Sequence, residues 1–171
     1  MELRFGILTI SDKGARGERE DRSGAVIKDI LGAARGRLVK YEVVPDERSV
    51  ISARLAKWAD DQTMDIIIST GGTGLARRDV TPEATMDILD KPVPGITEAM
   101  RSETRRITPA AMLSRAVAGI RGNCLIVNLP GSPKAVRECL EAVMPALPHA
   151  VEIISGAVTE HAAPAGDEVR G

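Results

Sequence analysis

The sequence predicts an α/β fold of three layers, in which a mostly parallel, twisted sheet carries helices on both faces. Short runs of apolar and β-branched residues alternate with segments of helical periodicity along the chain. Most of these runs are continuously apolar, which is typical of parallel strands covered on both faces. The length of 171 residues and the 43% hydrophobic content suit one domain with an ordinary core.

The first half of the chain predicts three strands separated by two helices. Each predicted strand is short, rich in apolar and β-branched residues, and followed by a polar turn. Apolar residues recur at helical spacing between the strands, and Ser23 is a candidate N-cap for the first helix. The predicted order is a strand at 4–11, a helix around 26–34, a strand at 38–44, a helix around 51–58 and a strand at 64–70.

The second half continues the alternation. Thr81 and Pro82 predict a helix start, with Thr81 as the cap and Pro82 as the first helical residue, and the segment KPVPG ends that helix. A long helix is predicted from Pro133, and Pro145 is expected either to kink it or to start a new helix. Residues 1–158 are therefore expected to form one domain and residues 159–171 a loose tail. The remaining predicted elements are helices at 96–105 and 109–113 and strands at 116–120 and 124–129.

The composition argues against several functions. Lys plus Arg number 23 and Asp plus Glu number 24, so no charge excess indicates nucleic acid or a charged membrane as a partner. One Trp, one Tyr and one Phe leave little aromatic surface for stacking on bases. No apolar run reaches the roughly 20 residues of a membrane span, and the N-terminus lacks the features of a secretory signal. We therefore expect a cytoplasmic protein.

The cysteines and histidines predict no site of their own. Cys124 lies in an apolar run and Cys139 in a helical pattern, and their spacing is not that of a metal pair, so we expect reduced core thiols. The only histidines, His149 and His161, come late in the chain, which disfavours a hydrolase with a histidine base. Transfer at a phosphate needs little base chemistry, because a phosphate is mostly deprotonated at neutral pH.

Ligands of open parallel sheets bind at the carboxyl ends of the strands. In this chain the rule selects the loops after Ser11, Val44, Thr70 and Leu129. The loop after Thr70 belongs to the stretch STGGTGLARRDVTPEA at 69–84. The loop after Leu129 reads PGSPKA and opens the predicted long helix.

The glycines of the GGTG loop permit positive φ and a close approach of backbone N–H groups to an anion. The loop matches neither GxxxxGK[ST] nor GxGxxG, and a tight turn that simply needs glycine is an alternative. Hydroxyl and guanidinium groups nearby suit phosphate, although the two arginines could equally be a solvated pair. These groups belong to Thr70, Thr73, Arg77 and Arg78.

The PGSPKA loop suggests a second anion site, because it too offers backbone N–H groups where a loop leads into a helix. Gly131 offers a free N–H, Ser132 can cap, Pro133 fits the first helical position and Lys134 supplies a charge. A plain capped helix start explains these residues equally well.

Aspartates accompany both regions. Asp46 follows the second strand and Asp79 follows the arginine pair, and each could be only a helix cap or a turn residue. Carboxylates at adjacent strand ends, beside phosphate-type loops, could instead hold Mg²⁺, which favours carboxylate and phosphate oxygens. Asp12 and Asp21, after the first strand, are further candidates.

Several motifs together resemble those of the molybdopterin-binding family of molybdenum cofactor biosynthesis. The resemblance covers about residues 3–154 and is greatest to the adenylyltransferase branch and the related domains fused into plant and animal cofactor-assembly proteins. The motifs are ISD at 10–12, DRSG at 21–24, PDE at 45–47, STGGTGLARRDVTPEA at 69–84, LSR at 113–115 and NLPGSPKAV at 128–136.

The resemblance implies a three-layer fold, a homotrimer and binding of molybdopterin, a pterin dithiolene with a terminal phosphate. In the adenylyltransferase branch this phosphate is joined to AMP from Mg-ATP, and pyrophosphate is released. It implies that Asp46 and Asp79 are catalytic and bind Mg²⁺, and that a molybdate-insertion enzyme is a further partner. With the loop chemistry it assigns substrate and phosphate binding to Thr70, Gly71, Gly72, Thr73, Gly74, Arg78, Ser114, Pro130, Gly131, Ser132 and Lys134.

Two alternatives remain open at this point. One is a non-catalytic molybdopterin-binding or carrier protein of the same fold, since a sister branch shares the loops. The other is the molybdate-insertion step, which the short chain without extra domains disfavours.

Overall fold

A computed structural model, which describes residues 2–157, has a six-stranded sheet between two layers of helices. The strand order is β2-β1-β3-β6-β5-β4. The first four of these strands are parallel, β5 is antiparallel to β6, and β4 is antiparallel to β5. The strands are β1 (Arg4–Ile10), β2 (Arg37–Val44), β3 (Ile66–Thr70), β4 (Lys91–Pro92), β5 (Ala118–Arg121) and β6 (Cys124–Leu129).

The helices cover both faces of the sheet, which confirms the predicted three-layer α/β fold. The α-helices are α1 (Asp12–Ala15), α2 (Arg22–Ala33), α3 (Arg48–Asp60), α4 (Thr81–Met86), α5 (Pro94–Arg105), α6 (Pro133–Val143) and α7 (Leu147–Ile154), and 3₁₀ turns lie at Pro109–Leu113 and Met144–Ala146. Residues of β1 point to opposite faces: Phe5 and Ile7 pack with α2, α5, α6 and α7, whereas Leu8 and Ile10 pack with α3 and α4.

Two predicted caps are wrong. The N-cap of α2 is Asp21, whose carboxylate accepts the N–H of Gly24 at 2.9 Å, and the buried Ser23 instead donates to the carbonyl of Gly131 at 2.7 Å. Thr81 is already inside α4, and its hydroxyl donates to the carbonyl of Gly71 at 2.9 Å. Both hydroxyls have tertiary acceptors that sequence spacing does not reveal.

The KPVPG segment follows the end of α4, and it also contributes a strand: Lys91–Pro92 is the short edge strand β4.

Both cysteines are free and buried, and burial raises the pKa of Cys124 to about 12 and that of Cys139 to about 11. None of the helices within residues 2–157 is long and apolar enough to cross a membrane. The predicted tail at 159–171 lies outside the described residues.

Candidate active site

The glycine loop (residues 71–74) and the PGS loop (residues 130–132) lie side by side at the carboxyl edge of the sheet. Thr70 Oγ1 donates to the carbonyl of Pro130 at 2.7 Å, and the N–H of Gly71 donates to the carbonyl of Leu129 at 3.2 Å. A Cβ on Gly131 would lie 3.4 Å from Gly71 Cα. The two loops suggested by the sequence therefore form one continuous surface.

The backbone of the glycine loop requires glycine at two positions. Gly71 and Gly72 have φ of +97° and +68°. A Cβ on Gly71 would lie 2.2 Å from the carbonyl oxygen of Ile10, and one on Gly72 would lie 2.3 Å from Thr81 Oγ1. The N–H groups of Gly72, Thr73 and Gly74 donate to no acceptor within residues 2–157, so they are available to an anion.

A buried network of hydrogen bonds links the glycine loop to β3, β6 and α4. Asn128, in β6, donates to the hydroxyls of Ser69 and Thr85 at 2.8 and 3.0 Å. Thr85 donates in turn to the carbonyl of Thr81, whose own hydroxyl holds Gly71. The motifs predict no such network, although a polar Asn within the apolar run CLIVNL was a usable signal.

Two cavities share the paired loops as part of their walls. The first cavity, of about 750 Å³, is lined by Asp46, the start of α2 and the loop after β1. The second cavity, of about 480 Å³, is lined by Asp79, Ser114 and facing residues of α5 and α6. Gly72, Gly131 and Ser132 line both cavities.

Asp46 occupies the first cavity in a reciprocal arrangement with Asp12. Asp46 Oδ2 accepts the N–H of Asp12 at 2.9 Å, and Asp12 Oδ1 accepts the N–H of Asp46 at 3.0 Å. Asp46 Oδ1 is left facing the glycine loop, 3.2 Å from where a Cβ of Gly72 would be. Burial raises the pKa of Asp46; the Asp12 N–H opposes this increase, and the charges of Asp12 and Asp79 add to it.

Asp79 lies on the other side of the loop. Its Oδ2 accepts the N–H of Ala76 at 2.9 Å and would be 2.8 Å from a Cβ on Gly74. Asp79 therefore does form a turn, as one of the two interpretations of the sequence expected. Its Oδ1 accepts no hydrogen bond from the part of the chain described, so the same carboxylate can also serve a ligand.

Arg115 of the LSR motif fixes the position of Asp79. Its guanidinium donates to the carbonyls of Gly74 and Asp79 at 2.8 and 2.7 Å and to the carboxylate of Glu83, and its N–H donates to Thr73 O at 2.9 Å. The motif predicts Ser114 as a site residue and gives no role to Arg115. Sequence spacing alone could not show that Arg115 spans the whole loop.

Two of the predicted phosphate ligands have other partners. Arg78 forms a bidentate pair with Asp12, at 2.6 and 2.8 Å. Lys134 is 80% exposed at its side chain, lies 3.8 Å from Glu138 and lines neither cavity. A phosphate role for either residue would need a side-chain movement, and it stays a prediction.

The carboxylates of Asp46 and Asp79 are of the kind that suits Mg²⁺. No group of three His, Cys, Asp or Glu side chains that could enclose a metal occurs among the described residues. Mg²⁺ is commonly held by one or two carboxylates together with substrate phosphates, rather than by a cage of protein ligands. Asp46 Oδ1 and Asp79 Oδ1, beside the glycine loop, fit that requirement.

We expect Arg115→Met to lower both stability and turnover, because it leaves three acceptors around Asp79 without their donor. The loss of charged hydrogen bonds should reduce the free energy of unfolding by about 1.5–3 kcal/mol. Arg121→Met is the matched control, since Arg121 binds Asp60 and the carbonyl of Ile88, away from both cavities. Chemical denaturation should show similar destabilisation of both variants, whereas assays of turnover should show a reduction only in Arg115→Met; equal turnover would contradict a positioning role.

The raised pKa of Asp46 predicts that its charge costs stability at neutral pH. A carboxyl group with a raised pKa in the folded protein adds to the free energy of unfolding while it is protonated. This contribution is complete below the pKa of the unfolded chain, about 3.9, and is lost as the pH rises through the higher pKa of the folded protein. In EDTA, Asp46→Asn should therefore be more stable than wild type at neutral pH, with the difference vanishing in acid. Asp12→Asn should show the opposite sign, because the Arg78 guanidinium lowers the pKa of Asp12. A lower melting temperature of Asp46→Asn at pH 7 would refute this account.

The fold and the paired loops define an α/β protein with a glycine-rich candidate site at the carboxyl edge of its sheet, and comparisons with known proteins identify its family. Residues 6–149 match the family described as a probable molybdopterin binding domain. The chain is 46% identical to a molybdopterin adenylyltransferase of Helicobacter pylori, over 90% of this chain and 89% of that protein. It is 36% identical to the Escherichia coli K12 molybdopterin adenylyltransferase, over 94% and 89% respectively.

A solved structure agrees with these relatives. The molybdopterin biosynthesis enzyme MoaB of Thermus thermophilus superposes with a TM-score of 0.85 at 54% identity, covering 90% of this chain and 97% of that one. The chain therefore belongs to the molybdopterin-binding family of molybdenum cofactor biosynthesis proteins, as its motifs indicated.

Proposed function

We propose that this protein is an enzyme that adenylylates molybdopterin with Mg-ATP. The observation that carries the proposal is the pair of cavities that meet at Gly72, Gly131 and Ser132, with Asp46 lining the first cavity and Asp79 the second. Two substrates that react through their phosphates need such a junction, because both phosphates must reach the same donors. The names of the relatives support the same reaction.

The linings of the cavities suggest which substrate each one takes. The first cavity carries charged and hydroxyl groups, including Arg19, Arg22 and Ser11, and suits the nucleotide. The second cavity places Met100, Ala111 and Leu113 opposite polar groups, and suits a flat heterocycle with polar edges. The phosphate of molybdopterin would then meet the α-phosphate of ATP at the shared loops.

The reaction requires alignment and charge neutralisation more than proton transfer. An oxygen of the pterin phosphate attacks the α-phosphorus, the bond between the α-phosphorus and its bridging oxygen to the β-phosphate breaks, and pyrophosphate leaves. Backbone N–H groups of the glycine and PGS loops would bind the phosphate oxygens. Asp46 and Asp79 would hold Mg²⁺, which when bound neutralises charge on the phosphates.

The direct test is incubation with molybdopterin, ATP and Mg²⁺, followed by detection of adenylylated pterin and pyrophosphate. Formation of both products is expected. Tight binding of molybdopterin without either product would favour the alternative, a non-catalytic molybdopterin-binding or carrier protein.

We further propose a cytoplasmic homotrimer that delivers its product to a molybdate-insertion enzyme. The support for this assembly and partner is the family resemblance. Light scattering should give the mass of three chains, of 18.2 kDa each. A stable monomer at micromolar concentration would remove the trimer.

A further inference from the structure

One face of α6 leads from the shared loops along the second cavity. Ser132, Ala135, Glu138 and Cys139 all line this cavity and follow helical spacing from the PGS loop. With a rise of about 1.5 Å per residue, Glu138 lies roughly 9 Å along the helix from Ser132. That separation is comparable with the distance from the phosphate arm of a pterin to the far edge of its ring system.

Glu138 is the one carboxylate in this cavity, within the described chain, that is not committed to the glycine loop. Its side chain is only 18% exposed, and its nearest cation is Lys134 at 3.8 Å, beyond hydrogen-bond distance. The other acid of the cavity, Asp79, accepts the N–H of Ala76 beside the loop. The cavity's arginine, Arg101, is directed to the carbonyls of Ser114 and Ala116 and to the hydroxyl of Thr97.

The chemistry of the pterin ring matches a carboxylate at this place. Its outer edge carries a 2-amino group next to the N3–H, so two parallel donors point in the same direction. An ionised carboxylate has two acceptor oxygens and no donor, and it can accept both bonds at once. A partly buried carboxylate without a hydrogen-bond donor gains most from such a partner.

We propose that Glu138 is the specificity-determining residue that recognises the 2-amino and N3–H edge of the pterin. The inference rests on the proposed function, since it assumes that the second cavity holds the pterin with its phosphate at the shared loops. Glu138 takes no part in the adenylyl transfer itself. Its effect is to select the heterocycle and its orientation.

The test changes the hydrogen-bonding pattern of the ligand and, separately, that of residue 138. A lumazine has a 2-oxo group in place of the 2-amino group, so its edge presents one acceptor and one donor. Glu138→Gln presents the complementary donor and acceptor. We expect wild type to bind the phosphate of 6-hydroxymethylpterin about tenfold or more tightly than that of 6-hydroxymethyllumazine, and Glu138→Gln to lose or reverse this preference.

Two further variants complete the experiment, with binding followed by ligand fluorescence. Glu138→Ala should lose the preference for pterin without gaining lumazine affinity. Glu141→Gln is the control, because Glu141 lies on the same helix, pairs with Arg137 at 3.4 Å and lines neither cavity. This control should retain the wild-type ratio.

The outcomes separate this inference from the proposed function. An unchanged pterin-to-lumazine ratio in Glu138→Gln, or no discrimination by wild type, would overturn the role of Glu138 and leave adenylylation untouched. Failure of wild type to bind or adenylylate molybdopterin itself would overturn the proposed function, and with it the inference.

Discussion

Replacing Asp46 or Asp79 by asparagine is expected to reduce adenylyl transfer by orders of magnitude while the fold and molybdopterin binding are retained. Asparagine keeps the shape of aspartate but removes the charge that holds a hard cation such as Mg²⁺. Loss of a charge-stabilising group at a reacting centre commonly costs about 10²–10³ in turnover. This is the largest single effect that the site predicts.

The structure explains why both variants should fold. Asp46 uses one oxygen to accept the N–H of Asp12, and Asp79 uses one oxygen to accept the N–H of Ala76. The carbonyl oxygen of an asparagine side chain can accept either bond. The local turns should therefore survive, and activity should change without loss of structure.

Asp90→Asn is the appropriate control. Asp90 also accepts a backbone N–H, that of Gly122 at 2.7 Å, but it lines neither cavity. Steady-state turnover with molybdopterin and Mg-ATP should be normal in Asp90→Asn and almost abolished in the other two variants. Near-wild-type turnover in both Asp46→Asn and Asp79→Asn would mean that these residues only form turns.

The second large effect is expected from Gly72→Ala. The new Cβ would lie 2.3 Å from Thr81 Oγ1 and 3.2 Å from Asp46 Oδ1, in a left-handed backbone conformation that costs about 1–2 kcal/mol without glycine. The loop must shift, and its N–H groups must then move away from the anion. We expect marked destabilisation together with loss of binding for both substrates.

Gly122→Ala is the control, because it measures the loss of stability that a left-handed backbone causes without any steric clash. Gly122 has φ of +55°, and a Cβ there would meet no atom within 4 Å. Denaturation should show that Gly72→Ala loses more stability than Gly122→Ala, and titration should show that only Gly72→Ala loses ATP and molybdopterin affinity. If Gly72→Ala binds both substrates as wild type does, the anion-binding donors lie elsewhere.

The sequence predicted the parallel part of the fold because local pattern and tertiary environment agree there. Continuous apolar runs such as MDIIIST lie in the centre of the sheet, where both faces are covered. The antiparallel edge was not predicted. The two residues of β4 pair with β5 through tertiary position, and a segment containing Pro92 and Pro94 gives no strand signal.

The candidate site also has a part that the sequence predicted and a part that it did not. The glycine loop, the PGS loop and the two aspartates were predicted because they lie at strand ends, where the chain order itself brings them to one edge. The side-chain hydrogen bonds that Arg115, Asn128 and Ser23 donate could not be predicted, since each spans more than 30 residues of sequence. The pairing of Arg78 with Asp12 was missed for the same reason.

The strand order has a consequence for self-association. The two outer strands, β2 and β4, are the only places within residues 2–157 where another strand could extend the sheet. At β4 the pairing segment is two residues long and Pro92 has no N–H to donate, whereas β2 carries the charged Arg37, Lys40 and Glu42. Neither border offers a long, uncharged template for a neighbouring chain. Copies of this protein should therefore associate through helices and loops, and fibril formation by edge-to-edge pairing should be suppressed even at high concentration.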